Sequence, residues 1–138
     1  MKTITTKLHR YRTMTTNFIN FDCELAWTSF DTAVRKVSFL WNGMMQGDNG
    51  NPTRMNPIKS NNQKRIHPTE KPIYIYKWIM DKYLQNDYNI LDTHGGSMSI
   101  GIAAHDYGFN IDICEIDKTY FSDAMQRLKS HVSQQKMF

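Results

Sequence analysis

Along the C-terminal part of the chain, short continuous apolar runs alternate with longer stretches in which apolar residues recur at helical spacing. Residues 69–84 predict a helix, with Thr69 as its cap, Pro72 in its first turn, and Ile75, Trp78, Ile79 and Tyr83 on one face. The run 89–92 ends in Asp92 and is followed by Gly95 and Gly96, which predicts a strand and then a tight turn. Residues 99–107 predict a second helix, closed by Gly108 in a left-handed cap. A second run, 110–116, leads into carboxylates, and 118–132 predict a last helix with Tyr120, Phe121, Ala124 and Leu128 inward. Strand, turn, helix and parallel strand in this order indicate an α/β fold.

The N-terminal part is less regular. Residues 1–20 mix Thr, Lys and Arg with scattered apolars and read as an irregular arm. Residues 23–30 and the alternating stretch 34–41 read as two strands of a β-hairpin, joined by a turn at Asp31, Thr32 and Ala33. Between residues 42 and 65 Gly, Pro and Asn dominate, which predicts a long polar loop. Arg54, Lys59, Lys64 and Arg65 are opposed there only by Asp48, so the loop suits phosphate contact on DNA; a solvated linker is the alternative. The expected organisation is an arm at 1–20 and one domain at 21–138, made of a hairpin (21–45), a polar loop (46–66) and a ligand-binding half (67–138).

Composition narrows the class without choosing the function. The 138 residues suffice for one modest core, and the +4 net charge permits nucleic-acid binding without requiring it. No apolar run approaches the roughly 20 residues that span a bilayer. The first residues lack the apolar segment of a secretory signal, so a cytoplasmic location is expected. Cys23 and Cys114 fit no metal-ligand spacing and read as buried, reduced thiols. His9, His67, His94, His105 and His131 share no ligand spacing with one another or with cysteine.

Candidate chemistry gathers where the first strand of the parallel pair ends. Ligands of open α/β sheets bind beyond the strand ends, so Asp92 points a carboxylate at that crevice and suits a ligand ammonium. Gly95 and Gly96 allow a sharp turn and a close backbone approach. Ser97 and Ser99 open the next helix and can cap it, or donate to a carboxylate at its positive end. Glu115 follows the glycines by about 20 residues, where an acid can hold both ribose hydroxyls, with Asp117 as the fallback. The plainer alternatives are a turn-forming Asp92 and a helix-capping Glu115. The sequence has no P-loop and lacks the three-glycine spacing of a dinucleotide fingerprint.

The element His67-Pro-Thr-Glu-Lys-Pro72, an amphipathic helix, and then Asp92-Thr-His-Gly-Gly-Ser97 together closely resemble the DNA amino-methyltransferases that modify adenine N6 or cytosine N4. The resembling group carries its catalytic motif N-terminal to its cofactor motif. The likeness extends to Cys23-Glu-Leu-Ala-Trp-Thr-Ser-Phe30 and Phe39-Leu-Trp-Asn-Gly43, and covers roughly residues 21–130. It implies a partial Rossmann-like fold, S-adenosylmethionine as cofactor, DNA as partner, and a bacterial or phage origin of the restriction–modification kind. It further implies that Thr69 and Lys71 flank the methionine end of the cofactor. Asp92, His94, Gly96 and Ser97 would form the turn that holds the amino-acid moiety, and Glu115 would hold the ribose. The loop 42–65 lies where the family often has its target-recognition segment.

Two departures shape the expectation. The family turn usually has a second glycine where Met98 stands, so a side chain there is expected either to crowd the cofactor or to force a different backbone. The family's catalytic Asp/Asn/Ser-Pro-Pro-aromatic motif, which grips a flipped base, is missing: Pro52, Pro57, Pro68 and Pro72 are the four prolines, and none are adjacent. No catalytic residue is therefore assigned. The middle strands of the family sheet have no sequence to form them, so a homo-oligomer or a partner chain is expected to complete the sheet. Three functions stay open: a truncated methyltransferase inactive alone, one subunit of a split enzyme, and a non-catalytic DNA-binding or interaction module.

Overall fold

The computed structural model describes residues 9–12, 22–26, 28, 31–42, 45–47, 52–53 and 64–134. They fall into two compact units, Met1–Lys36 and Val37–Phe138. In the first, β1 (His9–Arg12) pairs antiparallel with β2 (Asp22–Leu25), with His9 opposite Leu25 and Arg12 opposite Asp22. Two expectations are corrected here. Residues 9–12 are a strand rather than part of an irregular arm, and β2 pairs with them rather than with 34–41. Residues 31–40 form no strand, and Val34 is fully exposed. Alternation marks two faces, but only a ladder partner makes a strand, and the period of two does not say which segment that partner is.

The second unit begins with a small antiparallel pair, β3 (Trp41–Asn42) and β4 (Met45–Gln46). The Gly47 N–H donates to the Leu40 carbonyl, and the Leu40 N–H donates to the Pro52 carbonyl. The polar loop therefore opens as a tight hairpin; Arg54 and Lys59 lie outside the described residues.

Next comes α1 (Ile73–Tyr83), then β5 (Asn89–Asp92), α2 (Ser99–Tyr107), β6 (Asn110–Ile113) and α3 (Lys118–Ser133). β5 and β6 run parallel, with Asn89 beside Asn110 and Asp92 beside Ile113. Helices and a parallel pair make the unit α/β. α1 starts later than the sequence predicts. Proline holds the residue before it extended, so Pro72 takes the cap position and prevents the helix from reaching back to Thr69. Gly108 ends α2 at φ 74°, as its position after the last apolar residue predicts.

The core lies where α1 and α2 meet and pack with β5 and β6. Met80, Ala103 and Ala104 are buried, with Ile73, Tyr76, Leu84, Ile90, Ile100, Phe109 and Ile111 packed against them. The inward stripe of α1 is thus 73, 76 and 80 rather than the 75, 78, 79 and 83 face. This helix is apolar nearly all round, so several stripes fit its sequence equally well. On α3, Ala124 is buried, whereas Phe121 is 43% exposed. Among the described residues, no helix is long and apolar enough to cross a membrane.

Candidate ligand site at the glycine turn

β5 ends at Asp92, and the chain then folds over the end of β6. The Cys114 N–H donates to the Asp92 carbonyl and the Gly95 N–H to the Cys114 carbonyl, both at 2.8 Å. These bonds continue the parallel ladder past the strand ends and lay the turn on β6. Gly95 is required by that proximity: a Cβ on it would lie 2.4 Å from Ile113 Cγ2. Cys114 sits on this outer end and is exposed, correcting the expectation of a buried thiol; the Cys23 side chain lies outside the described residues.

The turn itself is narrow. The Met98 N–H donates to the Gly95 carbonyl at 2.7 Å, and Gly96 has φ 51°. Met98 also adopts a left-handed backbone, φ 53° and ψ 30°, immediately before α2. The departure from glycine has left a glycine-like conformation in place. Its side chain is 1% exposed and turns into the protein, with Cγ 3.6 Å from where a Gly95 Cβ would lie. The outer face of the turn is not filled by it.

Glu115 joins the two strand ends. Its Oε2 accepts the Gly96 N–H at 2.7 Å and its Oε1 the Asp117 N–H at 2.9 Å. The Asp117 and Gly96 donors, with the Ile116 N–H and the nearby His67, hold its carboxyl below the ordinary glutamate range, against a smaller opposing effect of burial. Helix capping falls instead to Asp117, whose Oδ1 accepts the Thr119 and Tyr120 N–H groups at 2.8 and 2.9 Å. Asp117 is thereby committed to α3 and not to the ligand-facing turn.

Asp92 Oδ1 accepts the His94 N–H at 3.0 Å, so this residue shapes the turn. His94 is exposed, and its Nδ1 lies 2.9 Å from the Thr93 hydroxyl. Ser97 is buried, its Oγ 3.0 Å from Ser99 Oγ. Neither serine caps α2 with its side chain, because both face inward.

The segment before α1 lies against this turn. The His67 ring approaches within 3.7 Å of a Cβ built on Gly96 and packs edge-on against Tyr120, centroids 4.4 Å apart. Thr69 is exposed, with its N–H 3.2 Å and its hydroxyl 3.1 Å from His67 Nδ1. The structure thus brings Thr69, through His67, together with Gly96, Ser97 and Glu115. Asp92 and His94 stand one strand end away. Lys71 is half-buried just before α1.

Two residues missed by the sequence reading organise this region. Glu70, 4% exposed, accepts the Ile66 N–H on Oε2 at 2.9 Å, and its Oε1 lies 3.1 Å from Arg127 Nη2 without the alignment of a hydrogen bond. Its backbone carbonyl accepts the Trp41 indole N–H at 2.9 Å. Arg127 Nη1 donates to the Ser97 carbonyl at 2.9 Å and to Ser99 Oγ at 3.1 Å. Burial disfavours the Arg127 charge, and the Glu70 carboxylate opposes that effect. A faint signal existed: Arg127 falls three positions after Ala124, on the inward face of α3. Arg65 extends the cluster, donating to the Trp41 carbonyl at 2.9 Å with its guanidinium 5.0 Å from the Trp41 ring centre.

The turn forms a partly exposed ledge, with Asp92, Gly96 and Glu115 half-buried and His94 exposed. Two surface depressions lie along α3 and between α3 and Lys64, Ile66 and Ile73. What the ledge offers is chemical: a carboxylate with lone pairs to spare, a glycine with positive φ, and a helix start. Such groups can take a small ligand with vicinal hydroxyls and an amino-acid group, and the Met98 side chain is buried rather than on the ledge. A family model described as DNA methylase matches residues 12–126. Neither the curated proteins nor the solved structures compared with the chain give a match.

Proposed function

This chain belongs to the DNA methylase family, and from that premise we propose that it carries the cofactor-holding part of an adenine-N6 or cytosine-N4 methyltransferase, with S-adenosylmethionine as the ligand of the glycine turn. The supporting observation is the hydrogen bond from the Gly96 N–H to Glu115, which sets an acid from the end of β6 beside the turn that follows β5. A carboxylate has about four lone-pair sites; the Gly96 and Asp117 N–H groups take two and the Ile116 N–H is drawn toward a third, which leaves room for a ribose hydroxyl. Asp92 and the Gly96 turn suit the ammonium and carboxylate of the methionine end, with Ser97 backing the turn from within, and His94 shaping its exposed rim. Thr69 and Lys71 flank the same end from the segment before α1. When bound, the cofactor supplies an electrophilic methyl group on a sulfonium centre.

These 138 residues contain no Pro-Pro-aromatic motif. In this reading the base-gripping residues come from outside them, and the chain transfers no methyl group by itself. The Rossmann-like sheet is completed by further strands, supplied by a second copy or a partner chain. A non-catalytic DNA-binding role for the same fold predicts DNA affinity without affinity for S-adenosylmethionine.

Calorimetric titration with S-adenosylmethionine tests the assignment. One-to-one binding in the micromolar range, weakened about tenfold or more by Glu115→Ala, is the expected result. Silence at millimolar ligand contradicts it.

A further inference from the structure

We propose that Arg127 is a positioning residue for the ligand-facing turn, holding it from behind and tying it through Glu70 to the segment that precedes α1. The inference rests on the cofactor reading above. The Ser97 carbonyl that Arg127 grips at 2.9 Å belongs to the same rigid peptide plane as the Met98 nitrogen. Rotation of that plane changes φ of Met98, the one described non-glycine residue with positive φ. A donor fixed on the carbonyl therefore holds Met98 in the left-handed conformation that its side chain disfavours. The same guanidinium reaches Ser99 Oγ, so both the last turn residue before Met98 and the first residue of α2 are held by one group.

Arg127 is itself held in place. Its Nη2 lies 3.1 Å from the fully buried Glu70 carboxylate, which also accepts the Ile66 N–H. Glu70 in turn receives the Trp41 indole on its carbonyl. A planar guanidinium suits this duty, because Nη1 donates to the turn while Nη2 sets the charge beside the carboxylate; a lysine offers a single point charge. Arg127 and Glu70 both lie behind the turn, and neither is assigned to touch the ligand.

The test uses Arg127→Lys, which keeps a cation beside Glu70, and Arg127→Gln. Without ligand, amide hydrogen exchange at Gly96 and Met98 is expected to quicken about tenfold or more in both variants, while exchange in the middle of α1 stays as in the parent. With ligand, binding of S-adenosylhomocysteine is compared with binding of methylthioadenosine, which lacks the amino-acid end. The expected result is a loss of about tenfold or more for S-adenosylhomocysteine and little change for methylthioadenosine, with the lysine variant the milder. Unchanged exchange at Gly96 and Met98, or an equal loss for both ligands, overturns the inference, since a merely structural ion pair acts on the whole unit. Failure of the parent chain to bind either ligand counts against the cofactor reading instead, and the exchange rates still decide whether Arg127 holds the turn.

Discussion

Met98 is left-handed and almost wholly buried, so two effects of opposite sign meet in one residue. The left-handed backbone costs a side-chain-bearing residue about 1–2 kcal/mol, whereas deleting a buried methionine side chain costs about 2–5 kcal/mol. Packing prevails, and Met98→Gly is expected to lower stability by about 1–3 kcal/mol in urea unfolding, although glycine suits the backbone better. Glu115 yields a pH prediction. Its folded-state pKa is depressed by the Asp117 and Gly96 donors, so its tether is intact above the ordinary glutamate range and is lost as pH falls through the depressed value. The Gly96 amide signal should therefore titrate in acid below that range, and a transition at or above it contradicts the tether. The placement of Asp92, Gly96 and Glu115 was legible because each lies at a fixed offset from a strand end. Glu70 and Arg127 were not: an ion pair between distant segments leaves no spacing or periodicity to read.

At the scale of elements, the three helices are cross-linked by charge away from the turn. Asp106 on α2 meets Lys77 of α1 and His131 of α3, each at 2.6 Å. Burial raises the Asp106 pKa, but the His131 and Lys77 hydrogen bonds and charges outweigh it and hold the carboxyl below its ordinary range. Asp106→Asn is expected to cost about 1–2 kcal/mol near neutral pH, the partial exposure of all three groups keeping it modest. The difference should shrink as pH falls through the depressed Asp106 value, which urea unfolding of both proteins at several pH values would show. Where an element carries its own end signals, the sequence predicted it well, as with α2 between the glycine turn and Gly108. The N-terminal hairpin failed for the opposite reason: alternation shows that a segment suits a sheet and says nothing about its neighbour. The inward stripe of α1 was ambiguous because apolar residues nearly encircle that helix.

For the molecule as a whole, the parallel pair is the part of the sheet that the described residues provide, with one side of β5 unpaired among them. Leu91 is 59% exposed on this pair. Parallel strands are normally covered on both faces, so self-association or capture of a strand-bearing partner is expected. Sedimentation at micromolar concentration should show more than one copy per particle, and a monomer at every concentration speaks against a second copy. The α/β plan and the family were legible because the His67–Pro72 element and the glycine turn are contiguous in sequence; a strand edge that pairs with another chain carries no such contiguous mark. In this reading the chain holds a methyl donor and does not grip a base. The most direct test incubates the purified chain with S-adenosylmethionine labelled in the methyl group and with adenine- and cytosine-containing DNA, then counts label on each. Label retained by the protein as intact cofactor, with none on the DNA, is the expected result; methylated DNA, or a protein fraction free of label, overturns this reading.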